Sequence, residues 1–250
     1  EWGERVVPKL NGMFAFAIYN ASTRKIFCSR DRLGVKPFYY SWKEGKFEIC
    51  SQLRPISQNK VIDEDAISMY LDCTYIPSPY TVFKDVYKLP PGNNLEIDLN
   101  TQKFTIKEYW NLNEVTDSGL YYEEAKEQLH LLLKDAVKIR LQSDVPFGSF
   151  LSGGIDSALI SSIAAKISQE PVKTFSIGFE DPNYDESKIA AQYAIIMGSD
   201  HTETICKPKD ILELIPKLIQ VYDEPFADSS ALPSLLLNKV TKKYVTMALS

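Results

Sequence analysis

Histidine is scarce in this 250-residue chain, with only His130 and His201, and the four cysteines Cys28, Cys50, Cys73 and Cys206 show no C-x-x-C spacing. Those shortages argue against a structural zinc site. Long apolar runs are also missing, since a stretch such as Met13 to Tyr19 is far too short to span a bilayer. Basic excess is absent too: a net charge of -5 and a pI near 5.2 offer no basic face to nucleic acid. No internal repeat or low-complexity segment is present. The opening Glu1-Trp2-Gly3-Glu4-Arg5 lacks the basic-then-apolar order of a signal peptide. With neither Met nor a cleavage scar, it reads as a start inside a domain, and Val245 to Ser250 reads as a strand cut off where its loop should begin. A composition of 44% hydrophobic and 24% charged residues sets aside disordered and collagen-like classes and leaves a globular protein, with a cytoplasmic small-molecule enzyme the expected type.

What is present falls into two halves. The first is β-rich: Met13 to Tyr19, Lys25 to Ser29, Phe38 to Trp42 and Lys46 to Cys50 are predicted as neighbouring antiparallel strands, the last two flanking a turn at Lys43-Glu44-Gly45. A helix is predicted from about Asp63 until Ile76-Pro77-Ser78-Pro79 ends it, and a hairpin is predicted from Asn93 to Leu99 and Lys103 to Tyr109. From about Tyr121 long helical patterns alternate with short apolar strands, the form of a parallel sheet built from βαβ units. The boundary is expected between Asn111 and Gly119. The predicted order runs helix Glu123 to Gln142, strand Val145 to Leu151, helix Ile155 to Ile167, strand Val172 to Phe179, helix Glu186 to Met197, strand Thr202 to Ile205, helix Asp210 to Val221, helix Ser230 to Tyr244 and strand Val245 to Leu249.

One segment carries chemistry. An apolar strand runs into Ser152-Gly153-Gly154-Ile155-Asp156-Ser157, and Leu159, Ile160, Ile163, Ala164 and Ile167 continue at helical spacing. Two adjacent glycines let the backbone turn tightly and aim N–H groups at one point, where the positive end of the helix dipole also falls. An anion, most commonly phosphate, suits that point. The loop lacks the Walker A lysine, so it suits a leaving pyrophosphate better than γ-phosphoryl transfer. Ser152 and Ser157 can donate to phosphate oxygens and Asp156 can hold Mg²⁺. A plain turn followed by a helix cap is the competing reading.

Leu151-Ser152-Gly153-Gly154-Ile155-Asp156-Ser157 resembles the pyrophosphate loop of the N-type ATP pyrophosphatases, and the preceding Ser143-Asp144-Val145-Pro146 resembles their asparagine synthetase branch. Phe175-Ser176-Ile177-Gly178-Phe179, Tyr184-Asp185-Glu186-Ser187, Gly198, His201 and Asp223-Glu224-Pro225-Phe226-Ala227-Asp228-Ser229-Ser230 are similar to further signatures of that branch. Asn11 to Ala17 and Arg30 to Tyr40 are similar to later strands of its glutaminase domain, so nearly the whole chain is covered.

The resemblance implies a two-domain α/β and α+β protein. Residues 1–112 would be the C-terminal part of an antiparallel, N-terminal-nucleophile-hydrolase-like glutaminase domain, and residues 119–250 the first part of a parallel-sheet ATP pyrophosphatase domain. It implies a ligase that joins ammonia from glutamine to aspartate through an aspartyl-adenylate, releasing AMP and pyrophosphate. Leu151 and Ile177 would contact adenosine, Ser152, Gly153, Gly154 and Ser157 the pyrophosphate, and Asp156 the Mg²⁺; Ser250 would begin a second phosphate loop. Asp223 and Glu224 are candidates for lining the cavity, with a solvated loop as the equal alternative. ATP, aspartate and glutamine are the implied small-molecule partners, without nucleic acid or membrane, and a homodimer is admitted. The family's glutaminase nucleophile is a first-position Cys where Glu1 stands, so these residues alone are expected to make negligible asparagine. Competing readings are a β-lactam synthetase-like ligase or sugar amidotransferase with another acceptor, and a non-catalytic nucleotide-binding relative. Arg30 and Asp31 are expected as a buried ion pair or turn, Cys28 and Cys50 as packing residues, and His201 receives no role.

Overall fold

The computed structural model describes residues 2–56, 60–114 and 116–250. Two compact units emerge: Glu1–Asp117 with Val221–Asp228, and Ser118–Gln220 with Ser229–Ser250. The first contains β1 (Ala15–Asn20), β2 (Lys25–Arg30), β3 (Tyr39–Lys43), β4 (Lys46–Cys50), α1 (Glu64–Cys73), β5 (Val86–Lys88), β6 (Asn93–Asp98) and β7 (Lys103–Glu108). The second contains α2 (Tyr122–Arg140), β8 (Phe147–Phe150), α3 (Ile155–Ile167), β9 (Lys173–Phe179), α4 (Ser187–Met197), β10 (Asp200–Cys206), α6 (Ala231–Thr241) and β11 (Met247–Leu249), together with nearly all of α5 (Pro208–Val221).

Local chemistry explains the hairpins of the first unit. Glu44 and Gly45 both take positive φ (52° and 76°), which closes β3 onto β4 through a two-residue turn of matching twist. The Asn20 side-chain oxygen accepts from the Ser22 and Thr23 amides at the β1–β2 turn, and Asp98 accepts from Asn100 and Thr101 at the β6–β7 turn. Asp63 caps α1 by accepting from the Asp65 amide.

The predicted strands exist, but the first four are not all neighbours. They divide between a sheet of order β1-β2-β6-β7 and one of order β4-β3-β5. The short β5, absent from the sequence prediction, completes the second sheet. Its three residues carry no readable alternation, and it is held by pairing with β3. Cys28, Phe38, Tyr40, Leu89, Leu95 and Ile97 form a core drawn from both sheets. Arg30 and Asp31 serve this unit through backbone bonds rather than an ion pair: the guanidinium donates to the carbonyls of Lys36, Leu89 and Gly34, while the carboxylate accepts from the Phe14, Val35 and Lys36 amides.

In the second unit the strand order is β10-β9-β8-β11, parallel throughout. Alternation along β9 separates its two faces. Ile177 and Phe179 pack with Ile211 of α5 and Leu236 of α6, whereas Gly178 on the other face approaches the Ser187 hydroxyl at the start of α4. α3 is pinned to β8 by the buried Ser149–Ser161 hydroxyl pair at 2.8 Å and packs with α2 around Val137, Ile163, Ala164 and Leu249. The helix Ile155–Ile167 falls where predicted. The strand expected at Val145 to Leu151 shortens to Phe147–Phe150, since Pro146 has no N–H to give, and the helix expected to reach Tyr244 ends at Thr241.

Gly148 sets the spacing at the centre of this sheet. A Cβ there would lie 2.7 Å from Phe175 Cε2 and 2.8 Å from the Lys173 carbonyl. The carbonyl belongs to the β8–β9 ladder and cannot move alone. Gly148→Ala is therefore expected to cost ~1–3 kcal/mol of stability, the usual range for overpacking a filled interior. Urea unfolding checks this, and an unchanged midpoint would contradict the packing described.

Candidate active site at the carboxyl end of the parallel sheet

The chain leaves β8 for α3 and β9 on one side, while β11 pairs on the other, so the strand order reverses at β8. In open parallel sheets the crevice for a ligand lies outside the carboxyl ends at such a reversal. Leu151 donates the last ladder bond there, to the Phe175 carbonyl at 2.8 Å, and is itself buried. The next residues leave the sheet.

Their amides meet side chains instead of a strand. Ser152 N–H donates to Ser157 Oγ at 3.0 Å, Gly153 N–H to Glu186 Oε2 at 3.1 Å, and Gly154 N–H to Ser152 Oγ at 3.2 Å. The two serine hydroxyls are 2.8 Å apart. The loop is thus folded by its own hydroxyls and one carboxylate, which leaves it open to solvent on the helix side: Ser152, Gly154 and Asp156 are exposed.

Leu151, Ser152, Ser157, Ile177 and Ser250 share the wall of one cavity of about 310 Å³. Gly153, Gly154 and Asp156 belong to the loop and the first turn of α3 rather than to that wall. The wall also includes Ser176, Tyr184, Glu186, Ser187 and Leu237, none of which the sequence had assigned a role. In the sequence the Tyr184 to Ser187 run stands out only by its resemblance, and its place between β9 and α4 is what brings it to this wall. Its shape is fixed by Asp185, whose carboxylate accepts from the Phe179 and Ser187 amides and is held below the usual range chiefly by hydrogen bonds from Ser187. Ile177, Phe179, Tyr184 and Leu237 also border a larger, apolar cavity of about 910 Å³. Both sizes suit small-molecule sites.

Asp156 is an exposed carboxylate. Among the described residues no cluster of three or more His, Cys, Asp or Glu could hold a metal ion. That donor set fits a magnesium ion that brings phosphate oxygens and water with it, not a cage of protein ligands.

Asp223 and Glu224 lie in the first unit. Asp223 accepts from the Leu53 amide at 2.8 Å and faces Arg54 Nε at 3.2 Å, and Glu224 pairs with Lys88, which also donates to the Ile76 carbonyl. Burial raises the Glu224 pKa against the pull of Lys88. The two acids line a cavity of about 380 Å³ with Tyr39, Tyr75 and Tyr222. Cys28 is fully buried, and burial pushes its thiol up to about 12, so it packs and does not attack.

A parallel sheet with a serine- and glycine-rich loop at its reversal point defines an α/β protein of the class that places its ligand crevice at the carboxyl ends of the strands. Comparison with known proteins narrows this. Residues 128–250 match the asparagine synthase family model and residues 1–110 the glutamine amidotransferase domain model. The putative glutamine-hydrolysing asparagine synthetase 2 of Methanocaldococcus jannaschii is 40% identical over 98% of the chain and 48% of its own length. Asparagine synthetase 1 of Bacillus subtilis is 34% identical over 99% of the chain and 39% of its own length, and the amidase chyE of Penicillium rubens is 29% identical over 80% and 32%. Between them the two family models match most of the chain, which is similar to these glutamine-hydrolysing asparagine synthetases along nearly its whole length. The chain spans about half the length of the first of these relatives and less of the others.

His201 emerges as a structural residue of this sheet. Its Nδ1 lies 2.9 Å from Thr174 Oγ1 and its Nε2 3.1 Å from Ser176 Oγ, both buried hydroxyls on β9. Burial lowers its pKa from 6.5, opposed by Glu203. The folded protein thus prefers the neutral ring and the unfolded chain binds more protons just below that value. The stabilisation is complete above about pH 6.5 and is lost as pH falls through the ordinary histidine range toward the folded value. Urea midpoints measured from neutral pH downward should fall more steeply for the wild type than for His201→Gln; parallel curves would show that the ring contributes no pH dependence.

Proposed function

We propose that the protein is a ligase that spends ATP to form an amide, with aspartate as acceptor and glutamine as the source of ammonia, and that the Ser152 to Ser157 loop receives the departing pyrophosphate. The observation that carries this reading is the loop's position: an exposed turn with three inward-satisfied amides, at the start of α3 and at the reversal point of the sheet. Similarity to the asparagine synthase and glutamine amidotransferase models and to glutamine-hydrolysing asparagine synthetases supports the acceptor and the nitrogen donor.

On this reading Leu151 and Ile177 border the nucleoside and Ser250 closes the opposite wall. The carboxylate of aspartate attacks the α-phosphorus, pyrophosphate leaves onto the loop, and ammonia then displaces AMP. The Ser152 and Ser157 hydroxyls turn from each other toward phosphate oxygens, which costs one neutral hydrogen bond and gains charge-assisted ones. The α3 dipole adds to this where negative charge develops. Asp156 would hold the magnesium that arrives with the nucleotide, and the ion supplies charge neutralisation of the leaving group. Residues 1–112 are proposed as the later part of a glutaminase domain and 119–250 as the first part of the ATP pyrophosphatase domain. The setting proposed is the cytoplasm. Among the described residues no helix is long and apolar enough to cross a membrane.

A second reading is the same chemistry on another carboxylate. Exchange of labelled pyrophosphate into ATP by the full-length protein separates the two: aspartate should support it, whereas exchange only with a different carboxylate would move the assignment. Ser157→Ala is expected to lower that exchange by about 10²-fold, the scale of losing one donor to a developing anion. An unaltered rate would remove the loop from the reaction.

A further inference from the structure

Of the three loop amides with side-chain acceptors, two meet hydroxyls and one meets a charge. Ser152 and Gly154 donate to Ser157 Oγ and Ser152 Oγ; Gly153 donates to the Glu186 carboxylate at 3.1 Å. The difference matters when an anion arrives. A hydroxyl can rotate its proton toward a phosphate oxygen and stay where it is. An ionised carboxylate has no proton to offer and repels the newcomer.

Two further observations single out Glu186. Glycine at 153 is what admits it: a Cβ on that residue would lie 3.0 Å from Glu186 Cβ and 3.2 Å from Oε2, tighter than ordinary packing. The side chain is also exposed at the mouth of the cavity, without an ion-pair partner among the described residues, so nothing but the amide holds it there.

We propose that Glu186 is a resident anion: it occupies the Gly153 amide in the ligand-free loop, swings away when a diphosphate group enters, and by competing for that amide hastens the group's departure. The proposal rests on the loop's assignment as a pyrophosphate seat. Glu186 is a positioning residue in this account, since it sets how long the product stays and takes no part in bond making.

Calorimetric titration of the 250-residue chain with magnesium pyrophosphate tests it, using wild type, Glu186→Gln and Glu186→Ala, with melting curves to verify that each is folded. The neutral variants should bind about 10-fold tighter, because a charge-assisted bond no longer has to be broken before binding. In ¹⁵N spectra the Gly153 amide should shift between the ligand-free wild type and Glu186→Gln. With saturating pyrophosphate the two should coincide. If the wild type binds and both folded variants bind equally or more weakly, the resident-anion role is overturned while the pyrophosphate seat stands. If no form binds at millimolar pyrophosphate, both are overturned together.

Discussion

The placement of β8 between β9 and β11 shapes the cavity of the second unit, because three parallel strands must end together for Leu151, Ile177 and Ser250 to border it. Three residues of no chemical interest make this possible. Gly148 lets β9 approach without collision, and the Ser149–Ser161 hydroxyl pair fixes α3 against the strand it follows. The first turn of α3 is therefore aimed by buried contacts. On the proposed function, a loop between such fixed ends would lose little freedom on binding, which is how preorganised donors gain their effect on a developing charge.

Three amides of the loop are engaged, but by partners of different kinds. Exposed backbone donors in a tight turn would normally be left to water. Here Ser152 and Ser157 occupy two of them with groups that can serve an anion equally well, and Glu186 occupies the third with a group that cannot. These three bonds hold the turn in one shape. The side of the sheet nearest α4 follows the same logic at greater depth, where His201 spans the Thr174 and Ser176 hydroxyls that apolar packing would have left unpaired.

Legibility followed the range of the interactions. The β3–β4 turn was plain because Glu44-Gly45 needs no distant partner to adopt positive φ, and α3 was plain because its apolar spacing is a local property. The division of the early strands into two sheets was hidden, since alternation tells which face is buried and not which strand lies alongside. β5 was hidden for a related reason, being three residues long and defined by its pairing with Tyr39 to Ser41. Arg30 and Asp31 were expected as an ion pair or a turn, and the turn is what forms, with Asp31 accepting from Gly34, Val35 and Lys36 and Arg30 also reaching the distant Leu89 carbonyl.

For the candidate site, the sequence alone determined the strand, the Ser-Gly-Gly turn and the helix start, because these depend on glycine's freedom, hydroxyl donors and a helix dipole, all encoded within a dozen residues. Tertiary structure decided which groups face that turn. Glu186 reaches Gly153 across 33 residues of sequence; away from that turn, in the first unit, Asp223 meets Leu53 across 170. Contacts of that span are set by how sheets and helices pack around a common core, a long-range outcome that no local pattern of residues specifies.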